Sequence, residues 1–95
     1  MIDNAKEISE LLKVLSNENR LMIVCHLIDR PMTVSELHEK LDHVTQPALS
    51  QHLSILKANK ILDSYKSGLT ITYSIQDKRI INIIQALKVN YCSQI

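Results

Sequence analysis

The hydrophobic pattern of this chain changes its period near residue 61, and this change limits the available folds. Before it, apolar residues recur at helical spacing, whereas polar and apolar residues alternate from Thr70 to Ile75, as in a half-buried strand. Residues 61–65 are a plausible partner strand, and the only glycine, Gly68, lies at the turn between the strands. Helical spacing returns near Asp77. The sequence predicts one mainly α-helical domain over 1–95 with a β-hairpin, in the order α-α-α-α-β-β-α.

Capping signals separate the first two helices. Asn4 with Glu7 predicts a capping box at the start of the first helix, and Ser16 and Asn17 can cap the second. The second helix is expected to end before Pro31. Its apolar residues are expected to form one stripe, consisting of Leu21, Val24, Cys25 and Ile28.

The next two helices outline a helix-turn-helix over about 33–58, and a wing over about 61–75 follows. Thr33 and Glu36 form a second capping box, residues 42–44 make a tight turn, and Thr45 can cap the next helix, in whose first turn Pro47 is tolerated. Leucines are expected to face inward on that helix. The side chains that we predict to contact DNA are Thr45, Gln46, Ser50, Gln51, His52, Ser54, Lys57 and Lys66.

These residue types fit the chemistry of a DNA duplex. The amides of Gln46 and Gln51 can pair with adenine edges, and the serines are short enough to reach bases or phosphates. Thr45 and the helix start offer N–H groups to a phosphate, and the lysines supply salt-dependent attraction. His52 either contacts a phosphate or borders the core. A solvated helix face with no DNA partner is the alternative interpretation, but it leaves the turn and hairpin unexplained.

Charge is unevenly divided along the chain. Residues 1–42 carry five basic and eight acidic residues, a net charge of −3, whereas residues 43–95 carry six basic and two acidic residues, a net charge of +4. A basic half indicates a surface that binds a polyanion. The alternative is that the charges are unevenly distributed by chance.

Other classes of protein are disfavoured. An enzyme is not expected, because no nucleophile lies beside a histidine and a carboxylate in a known motif and no glycine-rich phosphate loop is present. No apolar run can span a bilayer, no secretory leader is visible, and two cysteines are too few for a disulfide scaffold. A cytoplasmic protein with no membrane partner is therefore predicted.

The last helix carries more apolar surface than a small core needs. Its stripe consists of Ile80, Ile84, Leu87 and Tyr91, widened by Ile81, Ile83 and Val89. Because the chain lacks Phe and Trp, its own core is small. A homodimer that shares this surface is therefore expected.

Four segments resemble the ArsR/SmtB repressors: Leu12–Leu21, Val34–Leu37, Gln46–Leu53 and Thr72–Ile75. The resemblance covers about Ile8 to Cys92. It implies a winged-helix homodimer whose interface is formed by helices at about 4–15 and 77–92, and operator binding that an inducer abolishes. It also implies that Gln46, Ser50 and Gln51 meet the major groove, while residues 66–70 lie near the minor groove or backbone.

The sequence departs from this family pattern at the turn and the wing. Residues 42–44 lack the usual glycine and make the turn one residue longer, so we expect a different tilt of the recognition helix. The wing has a single basic residue, Lys66, so we expect weak wing contacts.

The metal sites of the family are not retained. Thr33 stands where the resemblance implies the first thiolate of one site. At the second, Asp77 matches a ligand position, but Arg79, Asn90 and Ser93 stand at the others, and an arginine cannot ligate. No metal or cofactor is therefore expected. A non-standard site of His26 with Cys25 and Cys92 is left as an alternative.

The two cysteines, Cys25 and Cys92, resemble those of the BigR/HlyU-like branch in the segments 23–27 and 87–92. This resemblance implies that they approach within one subunit and respond to sulfide-derived persulfides or oxidants. A disulfide or polysulfide bridge would then shift one helix against another and weaken operator binding. The alternatives are a metal-responsive repressor, a constitutive regulator, or a protein-binding winged helix with inert cysteines.

Overall fold

Residues 3–91, which the computed structural model describes, form five helices and three strands. The helices are Ala5–Leu15 (α1), Glu18–Leu27 (α2), Val34–Lys40 (α3), Gln46–Ala58 (α4) and Arg79–Tyr91 (α5), and the strands are Met32–Thr33 (β1), Leu62–Ser67 (β2) and Thr70–Ile75 (β3). The predicted winged helix-turn-helix fold is confirmed. The last helix begins two residues later than the sequence pattern predicts.

The short strand β1 was not predicted. It pairs antiparallel with the central strand β3, so that Met32 lies opposite Tyr73 and Thr33 opposite Thr72. Two residues are too few to carry a period-2 pattern, so this strand has no signature in the sequence. Its pairing fixes the start of α3 against the wing.

The wing consists of β2 and β3, which are paired antiparallel along their full lengths. Gly68 and Leu69 form the loop between them, and Gly68 has a φ of +61°. A two-residue loop with positive φ at its first position is typical of a type II′ turn, where glycine is strongly preferred. The glycine therefore lies where the hairpin needs it.

Three predicted helix caps are present. The Oγ1 atom of Thr33 accepts from the backbone N–H of Glu36 at 3.1 Å, and a Glu36 carboxylate oxygen accepts from the Thr33 N–H at 2.9 Å, which completes a capping box. The side chain of Asn17 caps α2, and that of Thr45 caps α4. These bonds satisfy N–H groups that have no partner within the helix.

The capping box predicted at Asn4 is wrong. Within residues 3–91 the Asn4 side chain makes no capping hydrogen bond. Its backbone has φ −109° and ψ 39°, outside the extended region from which an N-cap side chain reaches the next turn.

The described core is entirely apolar, and α2 lies within it. On α2 the buried residues are Ile23, Val24 and Leu27, whereas Leu21, Cys25 and Ile28 are only half-buried. The four residues of the predicted stripe all pack in or against the core, but the prediction missed Ile23 and Leu27. The physical reason is that α2 contacts α1, α4 and β3 on different sides, so it is apolar on more than one face.

Candidate DNA-binding face and cysteine region

Helix α4 has one buried and one exposed face. Leu49, Leu53 and Leu56 are fully buried, which fixes the rotation of the helix about its axis. The opposite face is polar and exposed, and it consists of Gln46, Ser50, Gln51, Ser54 and Lys57. This face therefore presents amides, hydroxyls and one ammonium group to solvent on a rigid element.

The turn before α4 holds its shape without glycine. Among the described residues outside glycine, only Lys60 has a positive φ, so residues 41–44 all use backbone conformations open to any L-residue. The N–H of Val44 donates to the Leu41 carbonyl at 3.1 Å, and Nε2 of His38 lies 2.9 Å from the Val44 carbonyl oxygen. Leu41 and Val44 are also buried, so packing and hydrogen bonds together fix the turn.

The tip of the wing lies beside the start of α4. The residues that line one shared groove are Thr33, Val34, Ser35, Gln46, Ser50, Leu69, Thr70 and Ile71. The recognition-helix candidates Gln46 and Ser50 thus share a concave surface with the wing. Sequence reasoning missed the contribution of α3, because nothing in the local pattern reports this long-range proximity.

Two basic side chains lie on or against the wing. Lys66 is exposed on the wing, and Nζ of Lys57 donates to Oγ of Ser64 on β2 at 2.8 Å. At the tip Leu69 is 98% exposed. The wing therefore combines one cationic side chain with an exposed apolar tip.

His52 differs from the other seven predicted DNA contacts, all of which are exposed, because it is half-buried. Its Nδ1 lies 3.4 Å from an Nη1 atom of Arg20 on α2. Burial, followed by the positive charge of Arg20, lowers the pKa of His52 below its ordinary value. The neutral imidazole is thereby favoured. No local pattern reports the contact of Arg20 with His52, because the two residues are 32 positions apart.

Cys25 lies half-buried on α2 and packs against the core. Cys92 lies outside the described residues, so the predicted approach of the two sulfur atoms is not described. Next to Cys25, the pKa of His26 is lowered by burial and by the positive charges of Lys40 and Lys88, while Asp29 opposes this. Lys88 on α5 is thus within electrostatic reach of the Cys25 region.

Asp77 takes part in the start of α5. Its Oδ1 accepts from the backbone N–H of Arg79 at 3.1 Å, and its two carboxylate oxygens accept from the Arg79 guanidinium at 2.9 and 2.8 Å. The hydrogen bond from the Arg79 side chain lowers the pKa of Asp77. Over residues 3–91, no three His, Cys, Asp or Glu side chains are grouped so as to hold a metal ion.

Two helices leave apolar side chains uncovered on adjacent surfaces. Ile8 and Leu12 on α1 and Ile83 and Leu87 on α5 are all exposed, and three of them, Ile8, Leu12 and Ile83, line one groove between the helices.

None of the helices in the described part of the chain is long and apolar enough to cross a membrane.

Comparison with known proteins identifies the family. The model of the bacterial regulatory proteins of the arsR family matches residues 17–64, which include α2, α3 and α4. The chain belongs to this family. It is 35% identical to the transcriptional activator HlyU of Vibrio cholerae over 97% of this chain and 84% of HlyU.

Two further comparisons agree with this assignment. The chain is 36% identical to the biofilm growth-associated repressor of Agrobacterium fabrum over 98% of this chain and 79% of the repressor. The structure of reduced HlyU from Vibrio cholerae matches with a TM-score of 0.88 at 35% identity, covering 94% of this chain and 93% of that one. The protein is a transcriptional regulator with a winged-helix fold.

Proposed function

We propose that this regulator is a dimeric repressor that reads operator DNA with α4 and is released from it by chemical modification of Cys25 and Cys92. The observation that carries the DNA-binding part is the exposed polar face of α4 beside the wing. A solvated helix surface requires neither the fixed turn before α4 nor the groove shared with Leu69 and Thr70.

The side chains divide into two groups by their chemistry. Gln46 and Gln51 carry amides that pair bidentately with adenine in the major groove, and Ser50 and Ser54 make shorter contacts. Phosphates are contacted by Thr45, His52, Lys57 and Lys66, which set the register of the protein on the duplex. Neutral His52 takes part as a hydrogen-bond donor, since burial and Arg20 favour its uncharged form.

The exposed apolar surface of α1 and α5 supports a homodimer. Four side chains are partly uncovered in the single chain: Ile8, Leu12, Ile83 and Leu87. Pairing two copies about a two-fold axis would cover these side chains in both subunits. Such a dimer presents two copies of α4 to successive major-groove segments, as a palindromic operator requires.

The base-reading role of α4 is tested with Gln51→Ala. A duplex is selected from a random library by the wild-type protein, and binding is compared with that of a scrambled duplex. If Gln51 pairs with a base, the variant loses about 1–3 kcal/mol on the selected duplex and almost nothing on the scrambled one.

Gln76→Ala is the matched control, since Gln76 is also exposed but follows the wing rather than lying on α4. Equal losses on both duplexes would refute base reading by Gln51. Failure of the wild-type protein to select any duplex would refute the DNA-binding function.

The thiol switch has two kinds of support. The relatives include HlyU, of which a reduced form has been solved, so HlyU has a defined reduced state. In this chain, Cys25 lies half-buried on α2 beside His26. The pKa of His26 is lowered mainly by burial, then by Lys40, and also by Lys88 on α5, four residues before Cys92, so α2 and α5 lie within electrostatic range of each other near the proposed bridge.

An organic persulfide or a peroxide can serve as the oxidant that joins the thiols of Cys25 and Cys92. Two thiols and one persulfide RSSH give a disulfide, one thiol RSH and H₂S, and each additional RSSH inserts one sulfur atom into the bridge and releases one RSH. Hydrogen peroxide gives the bare disulfide and two molecules of water. Either bridge would tie α2 to the end of α5 and change the spacing of the two copies of α4.

Cys25→Ser tests this switch. The variant is expected to bind the selected duplex as well as the wild-type protein does, and to keep that affinity after treatment with persulfide. Cys92→Ser should behave in the same way, because a bridge needs both sulfur atoms. A full response by either variant would rule out the dithiol mechanism.

A further inference from the structure

Arg20 makes hydrogen bonds to two other helices. From the first turn of α2, its Nε donates to the carbonyl oxygen of Val14 near the end of α1 at 2.8 Å. Its Nη1 lies 3.4 Å from Nδ1 of His52 on α4. The Arg20 side chain is part-buried in both contacts, so competition from water is reduced.

The chemistry of the guanidinium group determines the direction of the second bond. An arginine side chain stays protonated and cannot accept, so Nδ1 of His52 is the acceptor. The proton of the neutral imidazole is then on Nε2. Arg20 therefore fixes both the position of the His52 ring and its tautomer.

Through Arg20, hydrogen bonds connect α1, at Val14, to α4, at His52. Apolar packing connects α1 to α2 and α2 to α4, and such contacts tolerate small shifts better than directional bonds do. The planar guanidinium holds two acceptors at a fixed separation, which a lysine ammonium group on a flexible stem does not.

We propose that Arg20 is a positioning residue for DNA recognition, which locks α4 against the end of α1 through Val14 and His52. This inference rests on the proposed function, because it concerns how α4 is held between the dimer helices and the operator. Specific binding requires both copies of α4 in register, whereas phosphate contacts tolerate displacement. Loosening the link therefore lowers specific binding more than non-specific binding.

Arg20→Lys keeps the positive charge and removes the planar guanidinium group. Its binding to the selected and scrambled duplexes tests the proposal. We expect affinity for the selected duplex to fall by about 5–30-fold, as for a coupling of about 1–2 kcal/mol, and affinity for the scrambled duplex to stay within about twofold. Arg30→Lys is the matched control, since Arg30 is exposed and contacts Pro31 and Glu36.

Two further measurements separate positioning from general stability. Nitrogen NMR of His52 should show the Nε2–H tautomer in the wild-type protein and a mixture of tautomers in Arg20→Lys. His52→Leu should lower the ratio of the two affinities similarly, besides weakening binding to both duplexes through loss of its phosphate contact. Adding Arg20→Lys to His52→Leu should change this ratio little further, because the two residues act on α4 through one bond.

The outcomes distinguish this inference from the function on which it rests. Three results would overturn the role of Arg20 and leave DNA binding intact. They are an Nδ1–H tautomer in the wild-type protein, losses of discrimination that add in the double variant, and equal losses of affinity on both duplexes in Arg20→Lys. If the wild-type protein itself does not discriminate between duplexes, the proposed function fails and the role of Arg20 fails with it.

Discussion

Replacing Leu12 with alanine should weaken dimer formation while leaving the fold intact. Leu12 is 55% exposed on α1, so a dimer would cover about half of a leucine side chain in each subunit. Full burial of a leucine contributes about 1.5–3 kcal/mol, so burial of the 55% left exposed contributes about 0.8–1.6 kcal/mol. Because each subunit of a two-fold dimer contributes one Leu12, this contribution to dimer stability is made twice.

Alanine keeps one of the four side-chain carbons, so about three quarters of the contribution is lost. The dimer should therefore be destabilised by about 1.2–2.4 kcal/mol, equivalent to an increase of about 8–60-fold in the dimer dissociation constant. Sedimentation equilibrium over a concentration series measures this constant, and far-ultraviolet circular dichroism checks that the helices persist.

Leu69→Ala is the matched control, because Leu69 is 98% exposed at the wing tip and far from the proposed interface in the fold. Its dimer dissociation constant should equal that of the wild-type protein. An unchanged constant for Leu12→Ala, or an equal change for both variants, would refute the assignment of the α1 surface to the dimer.

Three further predictions concern stability measured by urea unfolding. Thr33→Ala should cost about 1 kcal/mol through loss of the capping box, and a cost no greater than that of Ser35→Ala would contradict this. Lys60→Gly should stabilise the protein by about 1 kcal/mol, because Lys60 has a φ of +61°, and the absence of any gain would count against strain there. Since burial and Arg20 depress the folded-state pKa of His52, the stability that it contributes is present above its ordinary value of 6.5 and lost on acidification through the folded-state pKa. Stability should thus fall as the pH drops below 6.5, and His52→Gln should reduce this fall; an identical slope in the variant would refute the contribution.

Local patterns predicted the exposed polar face of α4 because the determinants of that face are local. Leucines at helical spacing set which side of α4 is buried, and Thr45 sets where the helix begins. The alternation after Thr70 likewise identified the wing. In each case short-range periodicity and a cap were sufficient.

The remaining features depend on contacts between distant segments. Strand β1 exists because β3 passes beside Met32, and Arg20 acquires its role only when α1 and α4 are brought together. The failed cap at Asn4 had the correct residue spacing but the wrong backbone conformation. Residue types alone do not report these tertiary conditions.

The most direct test of a thiol-switched DNA regulator joins mass to binding in one sample. Reduced protein is treated with an organic persulfide, peroxide or zinc, weighed intact, and titrated with the selected duplex. The proposed function predicts a mass gain from bridging sulfur together with lost binding after persulfide, and no such change in Cys25→Ser. Full binding by the bridged protein, or a loss of binding caused by zinc alone, would contradict it.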